Sequence, residues 1–261
     1  MKYQGLPRPV PKGSLYAVVV GVGRFKDPSV PALRWPAKDA RDFAEALKRQ
    51  ESRLYQKVEV KLLPDEVADN ASIIDALEWL GNRVRESDVG VVFLSGHGVT
   101  SQKGDYFFVP YNAEMVSQAG GPLPKRSTSV PDTEIGNALK QLLGNAVFFF
   151  DTCHAGQAAM GGGIDYNKLI NTISGSANAF VLASSTGTEL SKEDDTLQHG
   201  IFTEALLEGL AGKGNHYKAG IVTIGELNLY VGHRVPELTG DSQHPVELKP
   251  RAARDIDFAM P

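Results

Sequence analysis

Residues 146–156 read Ala-Val-Phe-Phe-Phe-Asp-Thr-Cys-His-Ala-Gly. Five apolar residues in succession are typical of a strand buried on both faces of a sheet, and the small residues and glycine that follow indicate a turn. Cys153, the only cysteine of the chain, lies at the end of this run. Residues 89–98 read Val-Gly-Val-Val-Phe-Leu-Ser-Gly-His-Gly and have the same form. Here the predicted turn carries an imidazole, that of His97.

Strand and helix patterns alternate along the rest of the chain. Apolar runs predict strands at 15–22, 58–63, 89–94, 106–109, 146–150, 179–183 and 246–248. Apolar residues at helical spacing predict helices at 36–49, 70–84, 132–143, 200–210 and 223–234. Asn70 is the predicted N-cap of the second helix, and Thr223 with Glu226 has the spacing of a capping box. Such alternation predicts an α/β fold with a mostly parallel sheet that helices cover on both faces.

The two predicted turns lie at one edge of that sheet, because functional sites of parallel sheets form beyond the carboxyl ends of the strands. There the imidazole of His97 can take the proton of the Cys153 thiol, which makes a thiolate nucleophile. Backbone N–H groups of Gly98 and Cys153 are candidates for binding the oxyanion. A buried structural cysteine beside a hydrogen-bonded histidine is the alternative that these two contexts leave open.

The composition narrows the class of protein. The chain has 261 residues, a length that predicts one domain at 15–261 after an irregular arm at 1–14. Its net charge is −4. No cluster of Lys and Arg favours nucleic acid or a membrane surface. No apolar run reaches the roughly 20 residues of a membrane span, and no signal sequence is evident. A single cysteine excludes an internal disulfide framework and fits the cytoplasm.

Two motifs of this chain resemble those of caspase-like cysteine peptidases. Phe-Leu-Ser-Gly-His-Gly at 93–98 and Phe-Phe-Asp-Thr-Cys-His-Ala-Gly at 149–156 are similar to the segments that carry the catalytic dyad, most closely in metacaspases and the prokaryotic orthocaspases. Further segments resemble the family at 16–23, 33–42, 183–186, 199–203 and 243–245. The resemblance covers nearly the whole chain from Leu15 onward.

This resemblance implies a caspase-like three-layer α/β/α sandwich around a mostly parallel sheet of about six strands. It implies a cysteine endopeptidase in which His97 is the base and Cys153 the nucleophile. Three other functions stay open: a non-cleaving interaction module with the same fold, a cysteine hydrolase that acts on a non-peptide amide, and an enzyme that is silent until a partner activates it.

The residue two positions before the cysteine bears on specificity. Aspartate-specific caspases have Gln there, whereas this chain has Asp151. In metacaspase-like relatives the matching acid lines the S1 pocket together with positions that match Asp39 and Ser95. Two carboxylates favour a basic side chain through charge-assisted hydrogen bonds, so the resemblance implies cleavage after Arg or Lys. The chain departs from the family at Pro36 and Lys38, which replace a frequent Cys and Asn, and Lys38 either faces solvent or offsets the charge of the pocket.

Cofactors and partners follow from the same comparison. Many metacaspases bind Ca²⁺ through acids near the positions of Asp132 and Asn112, but Asp132 equally serves as a helix cap, and we predict no cofactor, with calcium as the alternative. A basic-specific enzyme could cut itself after Lys125, Arg126 or Lys168, but ordinary solvated loop charges are the simpler interpretation of these residues. The expected partners are a protein or peptide substrate and a separate regulator, and the expected state is a monomer.

Overall fold

Strands and helices alternate as the sequence predicts. The computed structural model describes residues 13–118, 121–154, 179–186, 189, 191–217, 219–248 and 254–261, so the predicted arm at 1–14 lies almost wholly outside the described residues. The strands are β1 (Ser14–Gly21), β2 (Lys57–Pro64), β3 (Val89–Thr100), β4 (Tyr106–Phe108), β5 (Met115–Gln118), β6 (Gly121–Pro124), β7 (Val130–Pro131), β8 (Asn145–His154), β9 (Ala179–Ala183), β10 (Glu193–Asp194), β11 (His199–Gly200), β12 (Val222–Thr223), β13 (Val246–Leu248) and β14 (Asp257–Ala259). The α-helices are α1 (Pro36–Lys48), α2 (Asn70–Arg83), α3 (Asp132–Lys140), α4 (Ile201–Glu208) and α5 (Ile224–Thr239).

The main sheet has the order β13-β9-β8-β3-β1-β2. Along this order, neighbouring strands run parallel from β2 to β9, and β13 at the edge runs antiparallel to β9. This arrangement confirms the predicted mostly parallel sheet of about six strands. Two short strands extend it, because β4 pairs antiparallel with the end of β3 and β7 pairs with β4.

Helices cover both faces of the sheet, which confirms the three-layer architecture. Successive residues of β1 divide between the two layers: Val19 packs in the cluster that contains residues of α1, α4 and α5, while Val18 and Val20 pack with residues of α2 and α3. Both faces of the central strands are therefore dry. This double burial is why these strands read as continuous apolar runs rather than alternating ones.

The predicted ends of two strands are wrong. β3 continues past Leu94 to Thr100, and β8 continues past Phe150 to His154, so His97 and Cys153 lie within strands rather than in turns. The extension of β3 is possible because β4 supplies backbone partners beyond the main sheet. It also depends on Gly96, which has a φ of +148° and whose Cβ, if it had one, would lie 2.9 Å from the Val22 carbonyl oxygen.

The helix termini confirm one predicted cap and correct another. Thr223 and Glu226 form the capping box of α5. The N-cap of α2 is Asp69, which accepts a hydrogen bond from the Ser72 N–H, whereas the predicted Asn70 is the first helical residue. Its side chain donates to the Ser127 carbonyl and thus ties α2 to the loop before β7.

Aromatic stacking fixes α1 on the sheet. The ring of Phe43 lies 4.6 Å from that of Phe93 and 5.2 Å from that of Phe149, measured between centroids, and all three are fully buried. We expect Phe43→Ala to lower the free energy of unfolding by about 3–5 kcal/mol, because it removes these contacts and leaves a cavity. Phe43→Leu, which retains more of the volume, is the matched control and costs about 1 kcal/mol. Denaturant unfolding measures both, and equal losses would contradict this account of the core.

Candidate active site

His97 and Cys153 are direct register partners in the neighbouring parallel strands β3 and β8. Neighbouring strands lie about 4.8 Å apart, so the backbone brings the two residues as close as any pair across a sheet. Gly98, the other predicted oxyanion residue, is opposite His154 in β8 and opposite Phe108 in β4. The side chain of Cys153 lies outside the described part of the chain, and the contact between thiol and imidazole stays a prediction.

The imidazole of His97 is buried and held from two sides. Its ring stacks on Phe25, with 5.2 Å between centroids and 20° between planes. Its Nε2 lies 2.8 Å from the Pro31 carbonyl oxygen. Because a carbonyl oxygen can only accept, Nε2 carries the proton of the neutral ring, and Nδ1 has the lone pair that a general base needs.

Phe25 and Pro31 belong to the loop between β1 and α1, which Asp65 anchors. The buried carboxylate of Asp65 accepts the backbone N–H groups of Gly23 at 3.0 Å and Arg24 at 3.1 Å. Asp65 itself has a φ of +43°, a backbone conformation that residues other than glycine adopt at a cost in free energy. A strained acid thus holds the loop that orients His97.

The three predicted S1 residues meet in one small cavity. Asp39 on α1, Ser95 on β3 and Asp151 on β8 all line it. The other lining residues are Leu33, Pro36, Gly96, Ser191, Lys192, Glu193 and Gly200. The volume of this cavity that is open to the centre of a water molecule is only about 10 Å³. The cavity therefore has room for one water molecule. A long side chain can enter only if the wall moves.

Asp151 is a buried carboxylate with two hydroxyl donors. Its Oδ1 accepts from Ser191 Oγ at 2.8 Å, and its Oδ2 accepts from Thr203 Oγ1 at 2.6 Å. Burial raises the pKa of Asp151 above its ordinary value, while the two hydroxyl hydrogen bonds act in the opposite direction. Hydroxyl donors carry no positive charge, so neither Ser191 nor Thr203 takes the place of a cation at this carboxylate.

Asp39 is still more deeply buried, with 1% of its surface exposed. Its Oδ1 lies 2.6 Å from Nδ1 of His199, and its two carboxylate oxygens lie 3.3 and 3.2 Å from the Gly200 N–H. Burial raises the pKa of Asp39 well above its ordinary value, and the charge of Asp151 raises it further. Two buried carboxylates that repel each other across a pocket are a common mark of a functional site.

Gly200 separates these carboxylates. A Cβ at this position would lie 2.7 Å from Asp151 Oδ2 and 3.1 Å from Asp39 Oδ2. Both oxygens therefore point at the same spot, which only a residue without a side chain leaves empty.

A third carboxylate, that of Glu193, stands in the wall of the cavity. It accepts the backbone N–H groups of Arg34 at 3.1 Å and Trp35 at 2.9 Å, just before α1 begins. Asp195 binds the side chains of the same two residues. The short hairpin of β10 and β11 thus connects the pocket wall to the loop that carries Pro31.

Sequence reasoning missed four polar residues of this region, namely Ser191, Glu193, His199 and Thr203. His199 is the most consequential of the four, because it is buried against Asp39. The only sequence signal for it is its place in the segment at 199–203 that resembles the caspase-like peptidases. Nothing in periodicity marks the other three.

The candidate calcium positions have other partners. The side chain of Asn112 accepts from the backbone N–H of Asn70 and donates to the side-chain oxygen of Asn70. Asp132 is buried at the start of α3. Within the described ranges, no group of three or more His, Cys, Asp or Glu side chains could hold a metal ion.

Of the candidate processing sites, Lys168 lies outside the described residues. The Lys125 carbonyl accepts from the Thr128 N–H at the start of a 3₁₀ turn (Arg126–Thr128). The Lys125–Arg126 junction is therefore bent, unlike the extended strand that proteases bind.

Comparisons with known proteins bear on the fold and the family of this chain. Among solved structures, a protein of Geobacter sulfurreducens, GSU0716, aligns with a TM-score of 0.67 and 17% identity over 95% of this chain and 99% of its own. Caspase-1 of Spodoptera frugiperda aligns with a TM-score of 0.59 and 13% identity over 100% of this chain and 96% of its own. The structure of pro-sf-caspase-1 aligns with a TM-score of 0.61 and 14% identity, covering 95% and 97% of the two chains. At such identities these likenesses concern the fold.

No curated protein sequence matches the chain. None of the helices in the described ranges is both long and apolar enough to cross a bilayer. The model of the caspase domain, Peptidase C14, matches residues 14–255. Because this match spans most of the 261 residues, the chain belongs to the caspase-domain family.

Proposed function

We propose that this protein is a cysteine endopeptidase that cleaves peptide bonds after Arg or Lys, with Cys153 as nucleophile and His97 as general base. The observation that carries the proposal is the register of β3 and β8, which sets these two residues opposite each other at the carboxyl edge of the sheet. The buried carboxylates of Asp39 and Asp151 at the same edge support the basic specificity.

The chemistry follows from the orientation of His97. Nδ1 accepts the thiol proton, and the thiolate attacks the substrate carbonyl carbon to form a tetrahedral oxyanion. The imidazolium then donates that proton to the leaving amine, and an acyl-enzyme remains, which water hydrolyses. The Pro31 carbonyl holds the ring throughout and stabilises the imidazolium through Nε2–H. Backbone N–H groups of Gly98 and Cys153 are the proposed oxyanion donors, each worth about 3–4 kcal/mol when well placed.

The charge of the pocket supports a basic rather than an acidic P1 residue. An aspartate side chain would face Asp39, Asp151 and Glu193 in a nearly closed cavity, where like charges repel strongly. A guanidinium or ammonium would instead receive two carboxylates whose donors in the described part of the chain are neutral groups, and would lower their desolvation cost.

The narrowness of the cavity supports a second candidate, an enzyme that is inactive until a partner opens the pocket. The cavity admits one water molecule and not an arginine side chain. In this candidate the hairpin of β10 and β11 is the part that moves, because Glu193 and Gly200 belong to both the hairpin and the wall.

Peptide cleavage tests the proposed nucleophile and base. We expect the wild-type protein to release fluorophore from peptides ending in Arg or Lys, and Cys153→Ala and His97→Ala to lower kcat/KM at least about 10³-fold. Matched peptides ending in Asp or in uncharged citrulline should be cut far more slowly. Equal rates in wild type and Cys153→Ala would refute the nucleophile, and cleavage after Asp alone would refute the specificity. The same cleavage assays with added calcium and with a chelator show whether activity requires the metal.

The raised pKa of Asp39 predicts a gain in stability when its charge is removed. Between the ordinary and the raised pKa the folded protein binds more protons than the unfolded chain, so wild type loses stability as the pH rises through this interval. Asp39→Asn should remove that loss and raise the free energy of unfolding at the alkaline end of the range, while kcat/KM for the Arg peptide falls. Melting temperatures from pH 5 to 8 measure it, with exposed Asp75→Asn as control. A destabilised Asp39→Asn at pH 8 would contradict this interpretation.

Gly200→Ala tests whether the empty spot between the carboxylates receives the substrate. Its methyl group would push on Asp39 and Asp151, and a displacement near 1 Å costs on the order of 10²-fold in rate. We expect kcat/KM for the Arg peptide to fall by about that factor, mainly through KM. Gly232→Ala, where a Cβ meets nothing within 4 Å, is the control. Unchanged kinetics in a folded Gly200→Ala protein would place the P1 side chain elsewhere.

A further inference from the structure

A chain of hydrogen bonds leads from the protein surface to the carboxylate of Asp39. The ammonium Nζ of Lys38 lies 2.6 Å from Nε2 of His199, and Nδ1 of His199 lies 2.6 Å from Oδ1 of Asp39. The side chain of His199 is 7% exposed and that of Lys38 is 36% exposed. The imidazole thus separates an accessible cation from a buried anion.

The donors and acceptors of this chain fix the protons. An ammonium group has three donors and no acceptor, so Nε2 of His199 must accept from Lys38. Nδ1 then carries the hydrogen and donates it to Asp39. The ring is neutral in this arrangement. Burial lowers the pKa of His199, and the charge of Lys38 lowers it further, which agrees with the assignment from geometry.

Other charged groups surround the imidazole on the neighbouring elements. On β10, Asp194 is the register partner of His199, and its Oδ1 accepts the backbone N–H groups of Thr196 and Leu197. On α1, Asp42 lies 3.3 Å from Nε2 and also binds Lys38 at 2.7 Å. On α4, Glu204 lies 4.0 Å from Nε2. Asp151 of β8 adds a further negative charge. These acids all favour the imidazolium, and the contact with Lys38 opposes them.

We infer that His199 is a specificity-determining residue, which Lys38 keeps neutral so that Asp39 retains its negative charge for a basic substrate side chain. An imidazolium 2.6 Å from Asp39 would form an ion pair with it and cancel the attraction for a cation. A neutral ring donates one hydrogen bond, orients the carboxylate and leaves its charge in place. His199 acts here as a positioning residue, since it acts through Asp39. The inference rests on the proposed preference for basic residues.

The effect of Lys38 on the binding of a basic side chain is therefore the opposite of what its charge alone predicts. A lysine next to an anionic pocket should weaken the binding of a basic side chain. Through His199 it preserves that binding, because the proton that would neutralise Asp39 is kept off the ring. The two effects differ in pH dependence, which makes them separable.

The decisive variant is Lys38→Met, with Lys48→Met on the same helix as matched control. Without the ammonium, the imidazolium of His199 forms at higher pH. We expect KM for the Arg peptide to be equal to or below that of wild type at pH 8, and at least threefold above it at pH 6.5, with kcat unchanged. The citrulline peptide should show no such change. A KM profile of Lys38→Met that is parallel to that of wild type across this range would overturn the inference.

Variants of His199 separate positioning from packing. His199→Asn retains a donor near the position of Nδ1 but cannot titrate, so it should retain the preference for Arg over citrulline and should suppress the rise in KM in the Lys38→Met background. His199→Leu retains volume without a donor and should lose most of that preference. Exposed His233→Asn is the control. Equal preference in the Asn and Leu variants would assign His199 a packing role and refute the inference.

Nuclear magnetic resonance tests the proton positions without any peptide. Two-bond proton–nitrogen correlations should show His199 as the neutral Nδ1–H tautomer at pH 7, and its pKa should rise in Lys38→Met. An imidazolium or an Nε2–H tautomer at pH 7 would overturn the inference. If wild type cuts no basic peptide, the proposed function fails, and this spectrum alone still decides the state of His199.

Discussion

The parallel register between β3 and β8 is the constraint on which the candidate site depends. Alternate residues of a strand face opposite layers, so a slip by one residue would send each side chain of β8 into the wrong layer. Phe149 packs with residues of α1 and α4, whereas Phe148 and Phe150 pack with residues of α2 and α3. Three large aromatic rings thus lock the register. The same ladder, carried three residues further, sets Cys153 opposite His97.

The first helix connects this core to the pocket. Asp39 and Phe43 are four residues apart and share the buried face of α1. One turn of helix therefore separates the aromatic stack on Phe93 from a carboxylate in the cavity. A buried acid on an otherwise apolar helix face departs from the pattern that the core requires, and such departures are expected at functional sites. Because Phe43 is fixed in the core, Asp39 has little freedom to leave its position.

The sequence predicts the parts of this structure that repeat with a period. Buried strands appear as apolar runs, and the strand at Ala179–Ala183 agrees with its prediction in both bounds. Asp39, Ser95 and Asp151 were found through the resemblance of short motifs. The extension of β3 beyond Leu94 was missed, because glycine and histidine in succession have the composition of a turn, and only pairing with β4 makes them a strand.

His199 and Glu193 were missed for another reason. Their partners Asp39 and Arg34 lie about 160 residues away in the sequence, and hydrogen bonds over such separations leave no local pattern. The bond between His199 and Asp39 exists only because β11 leads directly into α4, which packs with α1 in the same layer of the core. Tertiary structure, rather than propensity, thus selects the polar partners of the pocket.

In the proposed function, the carboxylates of the cavity balance stability against recognition. Burial disfavours the charges of Asp39 and Asp151, and their direct donors are neutral groups: Ser191, Thr203 and, on Asp39, His199 and the Gly200 N–H. Such acceptors are incompletely compensated, so a cation that enters gains more here than at a carboxylate already paired with Arg or Lys. The cavity is also nearly closed, and part of that gain must go to moving its wall. A neutral side chain of the same shape would also have to move the wall of the cavity, but it would form no ion pair that offsets this cost. The proposed discrimination for charge is thereby greater than the direct contacts alone would give, because the closed pocket and the desolvated acids act on the same bound state.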